Sequence, residues 1–85
     1  MELKILKFGA TWCQPCKTLN VVMEDIEKEY PNIVFEKYDS DTHPDMFKEY
    51  KVVSVPTVVF IKDGSEVDRF SGVLLKSKII SLINK

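Results

Sequence analysis

Cys13 and Cys16 have the residue type and the spacing that thiol–disulfide exchange requires. At the start of a helix, unpaired N–H groups and the positive end of the helix dipole favour a thiolate over a thiol. A first cysteine placed there can attack a disulfide, and a second one turn later can attack the mixed disulfide that results. The spacing therefore predicts that Cys13 faces outward as the nucleophile and that Cys16 is the resolving thiol.

The cysteine pair also fits three roles that involve no exchange. A purely structural disulfide across so short a loop would restrict the unfolded chain little. A zinc site needs four ligands, and only His43 could join the two thiolates. The cysteines could also be two buried side chains without chemistry, as free cysteines often are. We expect no metal, and we expect His43 to be a helix-capping or solvated loop residue.

The hydrophobic pattern places the pair between a strand and a helix. Residues 3–8 carry apolar side chains on both faces, which is typical of a central strand. Behind the cysteines, apolar residues recur at helical spacing, and Pro31 ends the predicted helix. These apolar residues are Leu19, Val22, Met23, Ile26 and Tyr30.

Further strands are expected at residues 33–38, 57–62 and 66–71. Asp63-Gly64, between the last two of these strands, is a strong hairpin signal. Because Val67 and Phe70 fall on opposite faces of a regular strand, the last strand is predicted to be an edge strand or to contain a bulge.

Two more helices complete the predicted order β-α-β-α-β-β-α. A short helix at residues 44–50 is expected to bury Met46, Phe47 and Tyr50. A closing amphipathic helix, without a capping residue at its start, is marked by Leu75, Ile79, Leu82 and Ile83. The fold class is α/β, and the chain length allows a single domain over residues 1–85.

The composition excludes several classes of protein. Twelve Lys and Arg against thirteen Asp and Glu give a net charge of −1 without a basic block, which excludes a nucleic-acid binder that relies on a positive field. The apolar runs are too short to span a membrane, and residues 1–7 do not resemble a signal peptide. Three widely separated glycines form no phosphate-binding loop. We therefore expect a cytoplasmic protein without a bound cofactor that acts on neither nucleic acid nor membranes.

Several motifs together resemble those of the thioredoxin family. They are W-C-Q-P-C-K at residues 12–17 after a strand, S-V-P-T at 54–57 before another strand, K-D-G at 62–64, and Gly72. The similarity covers residues 3–83. It implies a thioredoxin-like fold in which a four-stranded mixed sheet, with its strands in the order two, one, three, four, is flanked by three helices.

The resemblance also implies a surface that binds the substrate. The Val55–Pro56 peptide bond would be cis and would lie beside the cysteine pair. The backbone before Pro56 would pair with an extended segment of the substrate. The residues that frame this surface would be Trp12, Val55, Pro56, Gly72 and Val73.

The chain departs from the family pattern in three places. The family's first strand and first helix are missing, which would expose the sheet edge at residues 33–38. Gln14 stands where the family most often has glycine, and the two residues between the cysteines, Gln14 and Pro15, would tune the redox potential. Lys7 occupies the position of a buried aspartate of the family.

Lys7 has two interpretations. It could lie beneath Cys16 and either favour the Cys16 thiolate by its charge or accept the Cys16 proton as a neutral amine. Alternatively, its stem could cover apolar surface while the ammonium group reaches solvent. Lys37 matches a lysine of the family near the same site, so two lysines are expected to crowd there.

The resemblance implies a monomeric reductant of disulfides in partner proteins that works by dithiol exchange. Its electrons would come from an external donor that resembles thioredoxin reductase, because the chain has no dinucleotide site of its own. Three alternatives stay open: a glutaredoxin-like reductant that uses glutathione, a thioredoxin-fold subunit that serves mainly for binding in a larger assembly, and an oxidant or isomerase, which would differ in redox potential and not in fold. Glutaredoxins typically have Cys-Pro-aromatic-Cys, whereas Gln14 and Pro15 stand between the cysteines here.

Overall fold

The order of strands and helices agrees with the sequence prediction. A computed structural model describes residues 2–85. Its elements are β1 (Leu3–Gly9), α1 (Gln14–Glu29), β2 (Val34–Asp39), α2 (Pro44–Glu49), β3 (Thr57–Lys62), β4 (Ser65–Ser71) and α3 (Lys76–Ile83).

The four strands form one mixed sheet in the order β2-β1-β3-β4. β1 is parallel to β2 and antiparallel to β3, and β3 is antiparallel to β4. β1 is therefore an inner strand, as its apolar residues on both faces predict. β2 forms one edge of the sheet, as expected for residues 33–38.

Each face of the sheet packs against its own group of apolar side chains. Ile5 and Phe60 point to one face, where they pack with Leu19 of α1 and Ile79 of α3. The next residue of β1, Leu6, points to the opposite face. This alternation follows from the two-residue period of a strand, and it leaves helices α1 and α3 on one side of the sheet and α2 on the other.

α2 covers its face less completely than the sequence predicts. Met46, Phe47 and Tyr50 pack against the cluster around Phe8 but stay partly exposed, so the prediction that they are buried is wrong. α2 has six residues, and a helix this short contacts the sheet with one side of these side chains while the other side stays in solvent.

The hairpin between β3 and β4 has the turn that Asp63-Gly64 predicts. Both residues have positive φ, 51° and 86°, as a two-residue type I′ turn requires. β4 is an edge strand and also contains an irregularity. Phe60 pairs with Asp68 and Ile61 with Glu66, so the pairing skips Val67. Both expected features of this strand are present.

The last helix begins one residue later than its apolar pattern suggests. Leu75 is the N-cap of α3 and has an exposed side chain, so its assignment to the apolar stripe of the helix is wrong. Its carbonyl oxygen accepts the N–H groups of Lys78 and Ile79, while its own backbone is extended and its side chain is 74% exposed. Within residues 2–85 this N-terminus has no side-chain cap, as predicted.

Candidate functional site

Cys13 and Cys16 form a disulfide at the N-terminus of α1. Their Cα atoms are 5.3 Å apart. Each residue leaves only 5% of its surface exposed, so the prediction that Cys13 faces outward is wrong for this disulfide-bonded state. The reason is that the Cys13 sulfur is turned toward Cys16, and both cysteines pack with Ala10 and Val55.

The sulfur of Cys13 lies at the positive end of α1. Cys13 is the N-cap residue, and its Sγ accepts the backbone N–H of Cys16 at 3.2 Å. Pro15, in the first turn, has no N–H to leave unpaired. Donors and the helix dipole at this end favour a negative charge on Cys13 once the disulfide is reduced.

Cys16 is as buried as Cys13, but it lies against the end of β1. A Cβ atom added at Gly9 would lie 3.5 Å from the Cys16 Sγ, which shows how closely the sulfur approaches the strand. The two cysteines therefore have different surroundings: the helix terminus for Cys13, and the sheet for Cys16.

The loop before β3 completes one side of the site. The Val55–Pro56 peptide bond is cis. Val55 packs against the two cysteines, and the Gly72 N–H donates to the carbonyl oxygen of Pro56 at 2.9 Å. The structure thus brings Val55 against the cysteines, with Pro56 next to it in the chain and Gly72 hydrogen-bonded to Pro56, although all three are distant from the cysteines in sequence. Trp12, directly before the first cysteine, is 70% exposed, and Val73, directly after Gly72, is also exposed.

Thr57 ties this loop to the sheet and escaped the sequence analysis. It is buried, and its Oγ1 donates to the carbonyl oxygen of Ser54 at 2.8 Å and shares a hydrogen bond with the Ser71 Oγ at 2.9 Å. In the sequence, only the position of Thr57 directly after Pro56 could have indicated this role. The contact with Ser71 exists because β4 pairs with β3, which places Ser71 opposite Thr57.

Gly72 is expected to resist substitution for a conformational reason. Its φ is +85°, and a Cβ atom there would meet nothing within 4 Å, so Gly72→Ala would suffer backbone strain without a steric clash. We expect the free energy of unfolding, measured by urea denaturation, to fall by about 1 kcal/mol. Gly9→Ala is the matched control, since its Cβ makes an ordinary contact and its change should be small. Equal losses in both variants would contradict the explanation by φ.

A cavity of about 410 Å³ lies on the side of Cys16. The residues that line it include Lys7, Cys16, Asn20, Lys37 and His43. Within residues 2–85, Cys13 is not part of this lining. The structure thus brings Lys7 and Lys37 together at Cys16, as the sequence suggested. Asn20, which the sequence analysis missed, lies four residues after Cys16 and therefore on the same face of α1.

Lys7 is buried, with 8% of its surface exposed. Its Nζ donates a hydrogen bond to the Asn20 Oδ1. This burial favours the interpretation in which Lys7 lies beneath Cys16 over the one in which its ammonium group reaches solvent. Burial, and next the charge of Lys37, lower the pKa of Lys7 to about 8, against a smaller opposite effect of Glu24 and Glu27.

The remaining predicted residues lie at the surface. Gln14 and Pro15 are exposed in the first turn of α1, and Lys37 is exposed on β2. His43 is the exposed N-cap residue of α2, and its Nδ1 lies 2.9 Å from the Thr42 Oγ1. No group of three or more His, Cys, Asp or Glu side chains among residues 2–85 is placed to hold a metal ion.

The model of the family described as Thioredoxin matches residues 1–85. Thioredoxin from Chlamydia caviae is 42% identical over 83 residues, which are 98% of this chain and 81% of that protein. The chain belongs to the thioredoxin family. Thioredoxin H-type 1 from Nicotiana tabacum is also 42% identical, over 84% of this chain and 56% of that protein.

Solved thioredoxin structures have the same fold. The thioredoxin of Fasciola hepatica superposes with a TM-score of 0.90 at 41% identity, covering 98% of this chain and 79% of the other. Mitochondrial thioredoxin 3 of Saccharomyces cerevisiae gives a TM-score of 0.88 at 32% identity, covering 98% and 77%. This member of the thioredoxin family is a thiol–disulfide oxidoreductase of the thioredoxin type. The family match favours this interpretation over the glutaredoxin-like one.

No helix among residues 2–85 is both long and apolar enough to cross a lipid bilayer.

Proposed function

We propose that this protein reduces disulfides of partner proteins with Cys13 as the nucleophile and Cys16 as the resolving thiol. The hydrogen bond from the Cys16 N–H to the Cys13 Sγ carries the proposal, because it places the Cys13 sulfur at the positive end of α1. A thiolate is stabilised there, and the thiolate is the nucleophile in disulfide exchange.

The exchange has two steps. The Cys13 thiolate attacks a disulfide of the partner, which forms a mixed disulfide and releases the first partner thiolate. The Cys16 thiolate then attacks the Cys13 Sγ, which forms the Cys13–Cys16 disulfide and releases the second partner thiolate. Both released thiolates take up protons, so two electrons and two protons pass from this dithiol to the partner.

The partner is proposed to dock on the surface around the disulfide. Val55 and Pro56 supply backbone beside the cysteines, which suits pairing with an extended segment of a disulfide-containing protein. Gly72 approaches Pro56 closely, and Trp12 and Val73 offer exposed apolar area at the rim. We propose these five residues as the substrate-binding surface.

The electron donor is proposed to be a separate reductase that resembles thioredoxin reductase, because the disulfide must be reduced again after every turnover. A structure with 31% identity to this chain is described as concerning thiol resolution in a yeast mitochondrial 1-Cys peroxiredoxin via glutathione/thioredoxin systems, so an oxidised peroxiredoxin is one candidate acceptor. We propose that the protein acts as a monomer, and that it acts in the cytoplasm, where thiols are kept reduced.

The assignment of roles is tested by trapping the intermediate. Reduced Cys16→Ser, mixed with a disulfide-bonded peptide, is expected to accumulate a mixed disulfide through Cys13, because no resolving thiolate remains to release the peptide. Intact-mass measurement at successive times would detect it.

Cys13→Ser is the matched control, since it leaves one cysteine in the same short segment. It is expected to form the mixed disulfide much more slowly, because the Cys16 sulfur lies against β1 and is not the sulfur that accepts the backbone N–H at the start of α1. Faster capture by Cys13→Ser than by Cys16→Ser would show that the two roles are reversed.

A further inference from the structure

Lys7 is the one charged residue that is buried within the part of the chain that the structure describes. Burying an ammonium group is unfavourable unless an opposite charge compensates it. Its hydrogen-bond partner, Asn20, is neutral, and within residues 2–85 Lys7 forms no ion pair with a carboxylate. An anion that comes from solution would supply the missing compensation.

A second lysine lies beside the first. Lys7 of β1 and Lys37 of β2 are opposite each other in the parallel pairing, so their side chains lie on the same face of the sheet. Lys37 opposes the charged form of Lys7, as a neighbouring positive charge does, and contributes to lowering the Lys7 pKa to about 8. Since pH 7 is below this pKa, most molecules keep the positive charge on Lys7 there.

The cavity of about 410 Å³ beside these two lysines is lined mainly by groups that donate hydrogen bonds. Lys17 of α1 adds a third ammonium group, and Thr11 and Thr42 add hydroxyl groups. Asn20 uses its carbonyl oxygen for Lys7, which leaves its amide N–H groups as donors. Donors from β1, α1, β2 and the loops beside them therefore surround one space.

Negative charge is scarce around this cavity. Of the described residues that line it, only Asp39 has a carboxylate, and its Oδ1 accepts the backbone N–H of Asp41. Glu24 and Glu27 favour the charged form of Lys7, but each acts on its pKa less than Lys37 does. With His43 neutral, three lysines and one aspartate leave a formal charge of +2 here, in a chain whose net charge is −1.

The disulfide-bonded cysteines supply no negative charge to the cavity. Cys16 lines it, but its sulfur is bonded to that of Cys13 and is neutral in this state. A phosphate-type oxyanion suits such a site, because its oxygens accept hydrogen bonds from donors that approach from several directions. Lysine ammonium groups bind phosphate as point charges.

We propose that this space, the lysine cavity lined by Lys7, Lys17 and Lys37, binds a phosphate-type oxyanion in the oxidised protein. Lys7 supplies a buried positive charge, and Lys17 and Lys37 supply exposed ones. The ligand is inorganic phosphate or the phosphate group of a small molecule, since sites for small molecules have volumes of about 300–1,000 Å³. The inference goes beyond the proposed function and is independent of it, because binding involves no thiol exchange.

The test is a titration of the oxidised protein with sodium phosphate at pH 7 and constant ionic strength, followed by two-dimensional NMR. We expect the backbone amide signals of Gly9 and Thr11, which line the cavity, to shift until they saturate. Sodium chloride at the same ionic strength should give no saturating shift. Glycerol phosphate distinguishes the two sources of the ligand: tighter binding than that of inorganic phosphate identifies a phosphorylated small molecule, and equal or weaker binding identifies the free ion.

Lys7→Met and Lys37→Gln are each expected to weaken phosphate binding about tenfold, because each variant loses one charged hydrogen bond. Lys48→Gln is the matched control, since Lys48 is an exposed lysine of α2 outside the cavity lining and its removal should leave the affinity unchanged. Lys37 is exposed, so its variant tests the site even if Lys7→Met alters the packing. No saturating shift in the parent protein, or equal affinities in Lys37→Gln and Lys48→Gln, would overturn the inference.

Discussion

The Lys7→Met variant is expected to be more stable than the parent protein at pH 7. Burial, and next the charge of Lys37, lower the pKa of Lys7 from 10.5 to about 8, a shift that corresponds to about 3 kcal/mol of destabilisation while the amine is charged. Methionine has a similar length and no charge to bury. The lost hydrogen bond to Asn20 offsets the gain by about 1 kcal/mol.

The gain is expected to depend on pH in a defined direction. Between about pH 8 and pH 10.5 the unfolded chain keeps the Lys7 proton while the folded protein releases it. The free energy of unfolding of the parent therefore rises with pH across this interval relative to that of Lys7→Met. The advantage of the variant is complete below about pH 8 and is lost by about pH 10.5.

Urea denaturation of both oxidised proteins at pH 7 and pH 10 would measure this difference. Lys4→Met is the control, because Lys4 is partly exposed on the same strand and forms only an ion pair of 3.9 Å with Glu36. A Lys7→Met variant that is less stable than the parent at both pH values would contradict the prediction.

Phe8→Ala is expected to destabilise the protein by about 3–5 kcal/mol. Phe8 is fully buried on β1, and its ring centroid lies 5.5 Å from that of Tyr38, 5.1 Å from Phe47 and 5.9 Å from Tyr50. These contacts attach α2 and β2 to the centre of the sheet. Domains of this kind have a total stability of about 5–15 kcal/mol, so the variant would keep little of it.

The same denaturation experiment tests this loss. Val53→Ala is a suitable control because Val53 is 98% exposed, and its change should stay within about 0.5 kcal/mol. A loss below about 1 kcal/mol in Phe8→Ala would contradict the prediction and would mean that α2 moves in to fill the space. A short helix whose apolar side chains are partly exposed is the element of this fold with the most freedom to do so.

Elements with local signals could be predicted from the sequence. A strand with two apolar faces, a Cys-x-x-Cys segment before an amphipathic helix and an Asp-Gly turn each depend on residues within a few positions of one another. β1, α1 and the β3–β4 hairpin formed where they were expected. The order of the strands in the sheet came from the family resemblance.

The surroundings of single side chains became known only from the folded chain. The pattern around residues 44–50 predicted which side of α2 is apolar, but the exposure of Met46 depends on how much of the sheet so short a helix can cover. The outward direction predicted for Cys13 failed for a related reason, since its exposure depends on the disulfide and on Val55.

The difference between what the sequence predicts and what the folded chain determines is clearest for Lys7. Its residue type and position were known from the sequence, and two opposite interpretations fitted them. Its hydrogen bond to Asn20 of α1 and the effect of Lys37 of β2 on its pKa depend on residues that are 13 and 30 positions away in sequence. A pattern along the chain describes neighbours in sequence, whereas desolvation and charge act between neighbours in space.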